Sequence, residues 1–294
     1  RWLWRDYPEP VHNVPGKERR TDILIDGEDW ELVSSGHRFT EGPAAAPDGT
    51  VYFTDIPNNR IHHISTDGTV TVFAENTEGS NGLMFGPDGM LYACQKDGVV
   101  RYNADGAKEM FLPGIHGNDI VLLANGSGYV TEPDEKRLWF FSADGKSVIA
   151  DTGIEFPNGV ITSPDQTALT VSDTRGRFTW SYRIQPDGSL THKQQYGWLH
   201  VTDDLKSGAD GMAADTEGRT WVTTALGLQI LDQPGRVHFI VRKLKNAWLS
   251  NVVFAGPDRD VLYVTCGDSV YRRRVSAIGV DPWKSPVKPP KPRL

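Results

Sequence analysis

Residues 41–68 read EGPAAAPDGTVYFTDIPNNRIHHISTDG, and this stretch contains one complete repeat of the chain. A polar step at Glu41 leads into a short apolar segment, and Pro47-Asp48-Gly49 follows as a turn. A second apolar segment, Val51-Tyr52-Phe53-Thr54, and a third at residues 61–64 lead to another Asp-Gly pair. Asp-Gly between alternating apolar segments is a strong β-hairpin signal, so the stretch predicts consecutive antiparallel strands.

The same arrangement occurs six times along the chain. Each unit begins with a polar residue that we call an anchor, and the six anchors are Glu41, Asn81, Asn118, Asn158, Asp210 and Asn251. They are spaced by 40, 37, 40, 52 and 41 residues. A period near 40 residues with about four strands per unit is typical of a β-propeller. The sequence therefore predicts an all-β, six-bladed β-propeller, with a solenoid of the same units as the competing architecture.

The two ends of the chain differ from the repeats. The sixth unit ends after Val270-Tyr271, before a fourth strand, and the apolar segments within residues 21–33 would supply that strand and close the ring. We therefore assign residues 21–281 to the propeller. Residues 1–20 are predicted to form an N-terminal arm over it, and residues 282–294 a basic, proline-rich tail that is a solvated end or a linker.

Composition excludes several classes of partner. The chain has 294 residues, with 31 basic and 38 acidic side chains and a formal net charge of −7. Without a block rich in Lys and Arg, this balance argues against nucleic acid and against an anionic membrane surface. No apolar run approaches the roughly 18 residues of a membrane helix.

Two further features bear on compartment. Cys94 and Cys266 are the only cysteines, so the sequence contains neither a disulfide framework nor a cysteine-based zinc pattern. The chain begins at Arg1, which fits removal of a signal peptide. The localisation therefore stays open between periplasmic or secreted and cytoplasmic.

Every anchor carries a carboxylate or a carboxamide. The innermost strand of a propeller blade runs along the central channel, so the anchors would gather at one mouth of that channel. Together they would form a ring of oxygen ligands with two formal negative charges, which is the environment that Ca²⁺ prefers. The alternative is that Asn and Asp begin these strands through side-chain turns alone. Recurrence in register at all six anchors favours the metal site.

Several motifs resemble the regucalcin (senescence marker protein)–gluconolactonase family. They are Glu41-Gly42-Pro43, His116-Gly117-Asn118-Asp119, Pro157-Asn158-Gly159 with Ser163-Pro164-Asp165, and Ala209-Asp210-Gly211-Met212. The resemblance covers roughly residues 38–275 and implies a six-bladed propeller with one divalent metal ion, usually Ca²⁺, at the channel mouth.

The resemblance also implies roles for individual residues. Glu41, Asn158 and Asp210 match the metal ligands of the family, and Asn118 matches a further ligand or substrate contact. Asp210 is in addition the implied general base. His116 stands where the family has an arginine that contacts the polar substrate, and a histidine lacks the bidentate fork of a guanidinium.

Together these observations predict a metal-dependent lactonase that acts on a sugar-acid lactone. The ion would polarise the lactone carbonyl while Asp210 accepts a proton from the attacking water. Asn118 and His116 would hold substrate oxygens, and Asn81 and Asn251 would add polar lining. Ca²⁺ is the expected ion, with Zn²⁺ and Mn²⁺ as alternatives, and the sequence indicates no oligomeric state.

Three other functions stay open. A phosphotriesterase similar to squid diisopropylfluorophosphatase would use the same set of Glu41, Asn118, Asn158 and Asp210, and an apolar mouth would favour it. A non-enzymatic, ligand-binding propeller would hold the metal for stability alone. A strictosidine synthase-like propeller fits the acidic and amide anchors poorly.

Other candidate catalytic groups have less support. The chain contains no Gly-x-Ser-x-Gly elbow for a serine nucleophile. His62 and His63 are neighbours on one predicted strand, so they point to opposite faces and cannot act as a pair. His37 lies four residues before Glu41 and is expected at the surface, with a place in the lining of the channel mouth as the alternative.

Overall fold

The computed structural model describes residues 23–202 and 205–292. These residues form six four-stranded antiparallel sheets, the blades of a six-bladed β-propeller. The predicted all-β class and blade number are confirmed. The predicted arm, residues 1–20, lies outside the described residues.

The strands follow the repeats seen in the sequence. The first strand, β1 (Glu31–Ser35), belongs to the last blade. Blade 1 contains β2 (Thr40–Ala45), β3 (Val51–Asp55), β4 (Arg60–Ile64) and β5 (Val70–Glu75), with a 3₁₀ helix at Ile56–Asn58. Blade 2 contains β6 (Leu83–Phe85), β7 (Leu91–Gln95), β8 (Gly98–Tyr102) and β9 (Lys108–Pro113). Blade 3 contains β10 (Ile120–Leu122), β11 (Gly128–Glu132), β12 (Arg137–Phe141) and β13 (Ser147–Thr152).

The second half of the ring has the same plan. Blade 4 contains β14 (Pro157–Thr162), β15 (Ala168–Asp173), β16 (Phe178–Ile184) and β17 (Leu190–Trp198). Blade 5 contains β18 (Met212–Ala214), β19 (Thr220–Thr224), β20 (Gly227–Leu231) and β21 (Val237–Arg242). Blade 6 contains β22 (Leu249–Ala255), β23 (Val261–Cys266) and β24 (Ser269–Arg274), completed by β1. The innermost strands of neighbouring blades contact one another around the channel.

The ring is closed by the N-terminal strand, as the sequence predicts. Strand β1 pairs antiparallel with β24, and Glu31 lies opposite Arg272. The Nε atom of Arg272 donates a hydrogen bond to Glu31 Oε2 at 2.8 Å. The earlier apolar segment of the predicted range makes only an isolated bridge, between Leu24 and Val275. This closure rules out an open solenoid, because β1 and β24, the first and last strands of the described residues, lie in the same sheet.

The recurring Asp-Gly turns explain why the strands end where they do. Gly49 has a φ of +90°, a left-handed conformation that glycine adopts without steric cost. The preceding Asp48 accepts hydrogen bonds at Oδ1 from the backbone N (3.0 Å) and the hydroxyl (2.7 Å) of Thr50. The same Asx turn joins Asp187 to Ser189 at 2.9 Å. Hairpins with such a turn are therefore specified locally.

Residues after blade 6 close one end of the channel. Residues 280–283 border a cavity of about 50 Å³ inside the channel, together with the far ends of the innermost strands. Gln166 Nε2 donates hydrogen bonds to the carbonyl oxygens of Pro282 (2.6 Å) and Lys284 (2.8 Å). The described part of the tail is mostly exposed, and these hydrogen bonds anchor it to the propeller. Within the described ranges, no helix is long and apolar enough to cross a membrane.

Candidate functional site

The opposite end of the channel opens into a cavity of about 380 Å³ that is lined by both polar and aromatic side chains. This volume lies within the range of roughly 300–1,000 Å³ that is usual for small-molecule sites. Ten of the described residues line the cavity: Phe39, Glu41, Asn81, Asn118, Phe156, Asn158, Thr174, Arg175, Asp210 and Trp248. All four residues implied as metal ligands are among them, and so is Asn81.

Glycines next to the anchors allow the blades to approach closely enough to form this cavity. A Cβ atom on Gly42 would lie 2.1 Å from the carbonyl oxygen of Asn81. A Cβ atom on Gly159 would lie 2.2 Å from the carbonyl oxygen of Asp210. In both cases the glycine follows one anchor and touches the backbone of the next, so any larger residue would push the anchors apart.

Buried hydroxyl groups hold the anchors from behind. Thr131 Oγ1 donates a hydrogen bond to the carbonyl oxygen of Asn158 at 2.6 Å, and Ser172 Oγ donates to that of Asp210 at 2.8 Å. Thr54 does the same for Asn81 at 3.1 Å. Each hydroxyl comes from the second strand of the preceding blade, so one blade fixes the anchor of the next. Sequence reasoning missed these residues, although a Thr or Ser at this place in several repeats was a usable signal.

The site concentrates buried negative charge. Burial raises the pKa of Glu41 to about 7, and the nearby charge of Asp119 adds to the rise. Burial, and then repulsion from Glu41, raises the pKa of Asp210 well above its usual range. Asp119 lies deeper in the channel, and burial raises its pKa to about 7. Such carboxylates are costly to ionise together unless a cation neutralises them.

Two amide oxygens at the cavity have no hydrogen-bond partner among the residues that the structure describes. The Oδ1 atoms of Asn158 and Asn81 are buried and accept no hydrogen bond from any residue that the structure describes. The Nδ2 atom of Asn158 donates to Thr174 Oγ1 at 3.0 Å, which leaves Oδ1 free. Buried polar atoms normally have partners, because an unpaired one costs about 1–3 kcal/mol. Carboxylate and amide oxygens fit a hard divalent cation, so the residues present fit such an ion.

Aromatic side chains and one arginine form the outer wall of the cavity. The guanidinium of Arg175 lies 4.8 Å from the ring centroid of Phe156, and its side chain is 50% exposed. Trp248 is 41% exposed, and its Nε1 atom donates a hydrogen bond to Asp210 Oδ2 at 2.5 Å. Phe39 adds a third ring. The mouth therefore combines apolar surface with one cationic group.

Two predicted substrate-binding residues lie outside the set that lines this cavity. His116 is 53% exposed, and its Nδ1 atom lies 3.6 Å from Asp134 Oδ2. Asn251 lines the smaller, deeper cavity instead. Its Nδ2 atom donates to Glu41 Oε2 at 3.0 Å, so it supports a predicted metal ligand rather than facing the mouth.

A separate group of ligand-type side chains lies in blade 1. His37, Asp55 and His62 each offer one ligand atom, and these atoms lie within 4.8 Å of one another. None of the three lines the larger cavity. His37 was expected at the surface, but its side chain is 10% exposed and pairs with Asp55 at 3.3 Å.

Comparison with known proteins adds a family and an activity class. The model of the family described as "SMP-30/Gluconolactonase/LRE-like region" matches residues 39–268, which is well over half of the chain. A gluconolactonase from Zymomonas mobilis subsp. mobilis is 24% identical over 304 aligned residues, covering 88% of this chain and 85% of the relative. Pentonolactonase XacC from Haloferax volcanii is 26% identical over 252 residues, covering 80% and 83%.

A solved structure supports the architecture. The calcium-binding protein regucalcin from Agrobacterium tumefaciens matches this chain with a TM-score of 0.75 at 18% identity, covering 91% of this chain and 98% of that one. At this identity the likeness shows the shared propeller fold.

Proposed function

Because the chain belongs to the SMP-30/gluconolactonase/LRE-like family, we propose that it is a metal-dependent lactonase that hydrolyses a sugar-acid lactone, with Ca²⁺ as its ion. The two curated relatives described above are lactonases. The observation that carries the proposal is the convergence of Glu41, Asn118, Asn158 and Asp210 on one open cavity, where two amide oxygens accept no hydrogen bond from a described residue.

The proposed ligands are Glu41, Asn158 and Asp210, with Asn118 as a fourth. When bound, the ion would supply Lewis acidity toward the lactone carbonyl. Asp210 would take a proton from the water as it attacks that carbonyl and forms a tetrahedral intermediate. Collapse of this intermediate breaks the ring C–O bond, and the proton held by Asp210 would pass to the released hydroxyl oxygen. The hydrogen bond from Trp248 to Asp210 favours the ionised carboxylate, which is the form that a general base needs.

The outer wall would orient the substrate. Arg175 is held against the face of Phe156 and can donate hydrogen bonds to hydroxyl or carboxyl oxygens of a sugar acid. It would thereby supply the guanidinium that position 116 lacks. Trp248 and Phe39 offer flat apolar faces to the less polar side of a sugar ring.

The test is lactone hydrolysis with a matched pair of variants. Glucono-1,5-lactone and a pentonolactone are offered to the protein with Ca²⁺ and after chelation, and spontaneous hydrolysis is subtracted. Asp210→Asn is expected to lower kcat by at least about 100-fold, the usual contribution of general-base catalysis. Glu132→Gln changes a buried glutamate of blade 3 that already contacts Trp139 and Arg137, and it is expected to keep most activity.

One outcome would overturn the role of Asp210, and another would overturn the lactonase proposal as a whole. If Asp210→Asn retains full turnover with metal bound, the base assignment is wrong. If no lactone is hydrolysed above background while Ca²⁺ still raises the Tm, the site serves stability or a different ligand, and the binding-propeller interpretation takes its place.

The aromatic mouth favours one second candidate. Phe39, Phe156 and Trp248 present the apolar surface that a neutral phosphotriester would contact. We therefore propose the phosphotriesterase activity as the alternative, to be measured as fluoride release from diisopropyl fluorophosphate. Release that depends on Ca²⁺ and exceeds lactone turnover in kcat/KM would favour this candidate.

A further inference from the structure

The group formed by His37, Asp55 and His62 connects the segment that precedes blade 1 to two strands of that blade. His37 lies in the segment between β1 and β2, Asp55 ends β3, and His62 is in the middle of β4. The Nδ1 atom of His37 is 3.3 Å from Asp55 Oδ2, and a ring nitrogen of His62 lies within 4.8 Å of the ligand atoms of both. The imidazole rings of the two histidines have centroids 4.8 Å apart.

From this arrangement we propose that His37, Asp55 and His62 bind a second divalent ion of the zinc class, separate from the ion of the cavity. Two imidazoles and one carboxylate form a ligand set that suits Zn²⁺ better than Ca²⁺, which prefers six to eight oxygens. Ligands about 2.0–2.1 Å from a tetrahedral zinc ion stand about 3.4 Å apart. The His37–Asp55 pair already has this spacing at 3.3 Å. The separations from the His62 nitrogen are at most 4.8 Å, so they have to shorten by up to about 1.4 Å.

Hydrogen bonds already orient the first two ligands. His37 Nε2 is 2.7 Å from Ser34 Oγ, an arrangement that leaves Nδ1 free for a metal when Nε2 carries the proton. Asp55 Oδ1 accepts from the backbone N atoms of Arg38 (3.2 Å) and Phe39 (3.3 Å). Outer contacts of this kind usually fix the geometry of metal ligands.

The third ligand supplies an observation independent of the cluster. His62 is 8% exposed, and its Nε2 atom has no hydrogen-bond partner among the described residues. Its ring stacks on Phe53 with an interplanar angle of 14°, which restricts its orientation. An ion bound through Nε2 would give this buried atom the partner that no described residue provides.

An ion here would stabilise the segment that leads to the cavity. Asp55 holds the backbone of residues 38 and 39 and pairs with Thr40 across β2 and β3. Phe39 lines the cavity, and Glu41 follows two residues later. The second ion is therefore expected to raise the Tm and to leave the lactone chemistry to the cavity.

The experiment uses Co²⁺ as a spectroscopic substitute for Zn²⁺ in the full chain, with the cavity saturated by excess Ca²⁺. The wild type is expected to bind one equivalent and to develop the intense visible absorption of four-coordinate Co²⁺, which Zn²⁺ then displaces. His62→Gln is expected to weaken Co²⁺ binding at least 100-fold. His63→Gln is the matched control, because His63 is the neighbouring residue on the same strand and packs on Tyr52 instead.

Further variants keep the test decisive. His37→Gln should lose the same equivalent if His62→Gln does not fold, because His37 lies outside the strands. Glu41→Gln should still bind this equivalent of Co²⁺, because Glu41 belongs to the cavity and not to the proposed second site. The proposal is overturned if the wild type binds no Co²⁺ or Zn²⁺ beyond the cavity, if His62→Gln and His37→Gln both retain the bound equivalent, or if Glu41→Gln abolishes it.

Discussion

Replacing Glu41 by glutamine is expected to stabilise the metal-free protein at pH 8 and to remove most of the stabilisation that Ca²⁺ provides. The variant keeps the shape of the side chain. An amide oxygen can still accept the hydrogen bonds that Oε2 receives from the backbone N of Gly42 (2.6 Å) and from Asn251 Nδ2 (3.0 Å). What changes is the negative charge, which the metal-free site leaves without a cation.

The size of the effect follows from the pKa. Folding raises the pKa of Glu41 from 4.5 to about 7, chiefly because the carboxylate loses hydration. A folded carboxyl with a raised pKa binds its proton more tightly than the unfolded one. Its favourable contribution to folding is therefore complete below pH 4.5 and is lost as the pH rises through 7. At 1.36 kcal/mol per pKa unit, the ionised group costs the metal-free fold about 3 kcal/mol at pH 8.

The assay compares Tm values of wild type and variant from pH 5 to pH 8, in chelator and in excess Ca²⁺. In chelator, the Tm of the variant should rise relative to that of the wild type as the pH increases, by an amount on the order of 5 °C at pH 8. In Ca²⁺ the order should reverse, because the wild type gains the binding free energy of the ion and the variant lacks a ligand.

Glu132→Gln provides the control for this experiment. It removes a buried carboxylate that accepts a hydrogen bond from Trp139 Nε1 at 2.8 Å and lies 3.6 Å from an Arg137 nitrogen. It should destabilise the protein without changing the Ca²⁺ response. If Glu41→Gln lowers the Tm in chelator equally at pH 5 and pH 8, the charge of Glu41 does not strain the metal-free fold, and the reasoning fails.

Two further predictions concern residues that support the site, and a third concerns the anchoring of the tail. Thr131→Val removes the donor to the Asn158 carbonyl and should cost about 1–3 kcal/mol and weaken Ca²⁺ binding, whereas Thr131→Ser should behave like the wild type in thermal and calcium titrations. Trp248→Phe removes the hydrogen bond to Asp210, so the pKa of Asp210 should rise and the acid limb of the kcat/KM profile should move to higher pH. An acid limb at an unchanged pH would contradict the role given to this hydrogen bond. Gln166→Ala frees two carbonyls of the tail, so limited proteolysis should cut the tail faster while kcat stays unchanged, because the tail lies at the far end of the channel.

The architecture could be predicted from the sequence because its signals are local and repeated. Asx turns such as that of Asp48 are formed within three residues, and the anchors recur near a period of 40. The closing strand was predicted within residues 21–33, and the structure has it at Glu31–Ser35. Its place in the last blade follows from the sequence because the sixth repeat ends before a fourth strand. A missing strand at one end and a spare one at the other leave few alternatives.

The lining of the cavity could be predicted only in part. The repeat specifies where an anchor begins, but not where side chains near it point. Phe39, Phe156 and His116 each lie two residues before an anchor, yet only the two phenylalanines line the cavity. His116 instead lies beside Asp134, and its backbone N donates to Glu132 Oε1 at 3.3 Å. That difference depends on non-local contacts that a repeat pattern does not encode.

The energetics of the channel argue for a ligand-binding role over a purely structural one. The ring is already closed by β1, and hydroxyl groups such as that of Thr131 already join the blades. Neither device needs the buried carboxylates of Glu41 and Asp210, whose raised pKa values mark a cost to the metal-free fold. A structural ion could offset that cost, but it would not require an open cavity of about 380 Å³ beside it. The space beyond the proposed ligands, walled by aromatic rings and Arg175, is what a substrate needs, and it is the feature that a lactonase explains and a structural metal site does not.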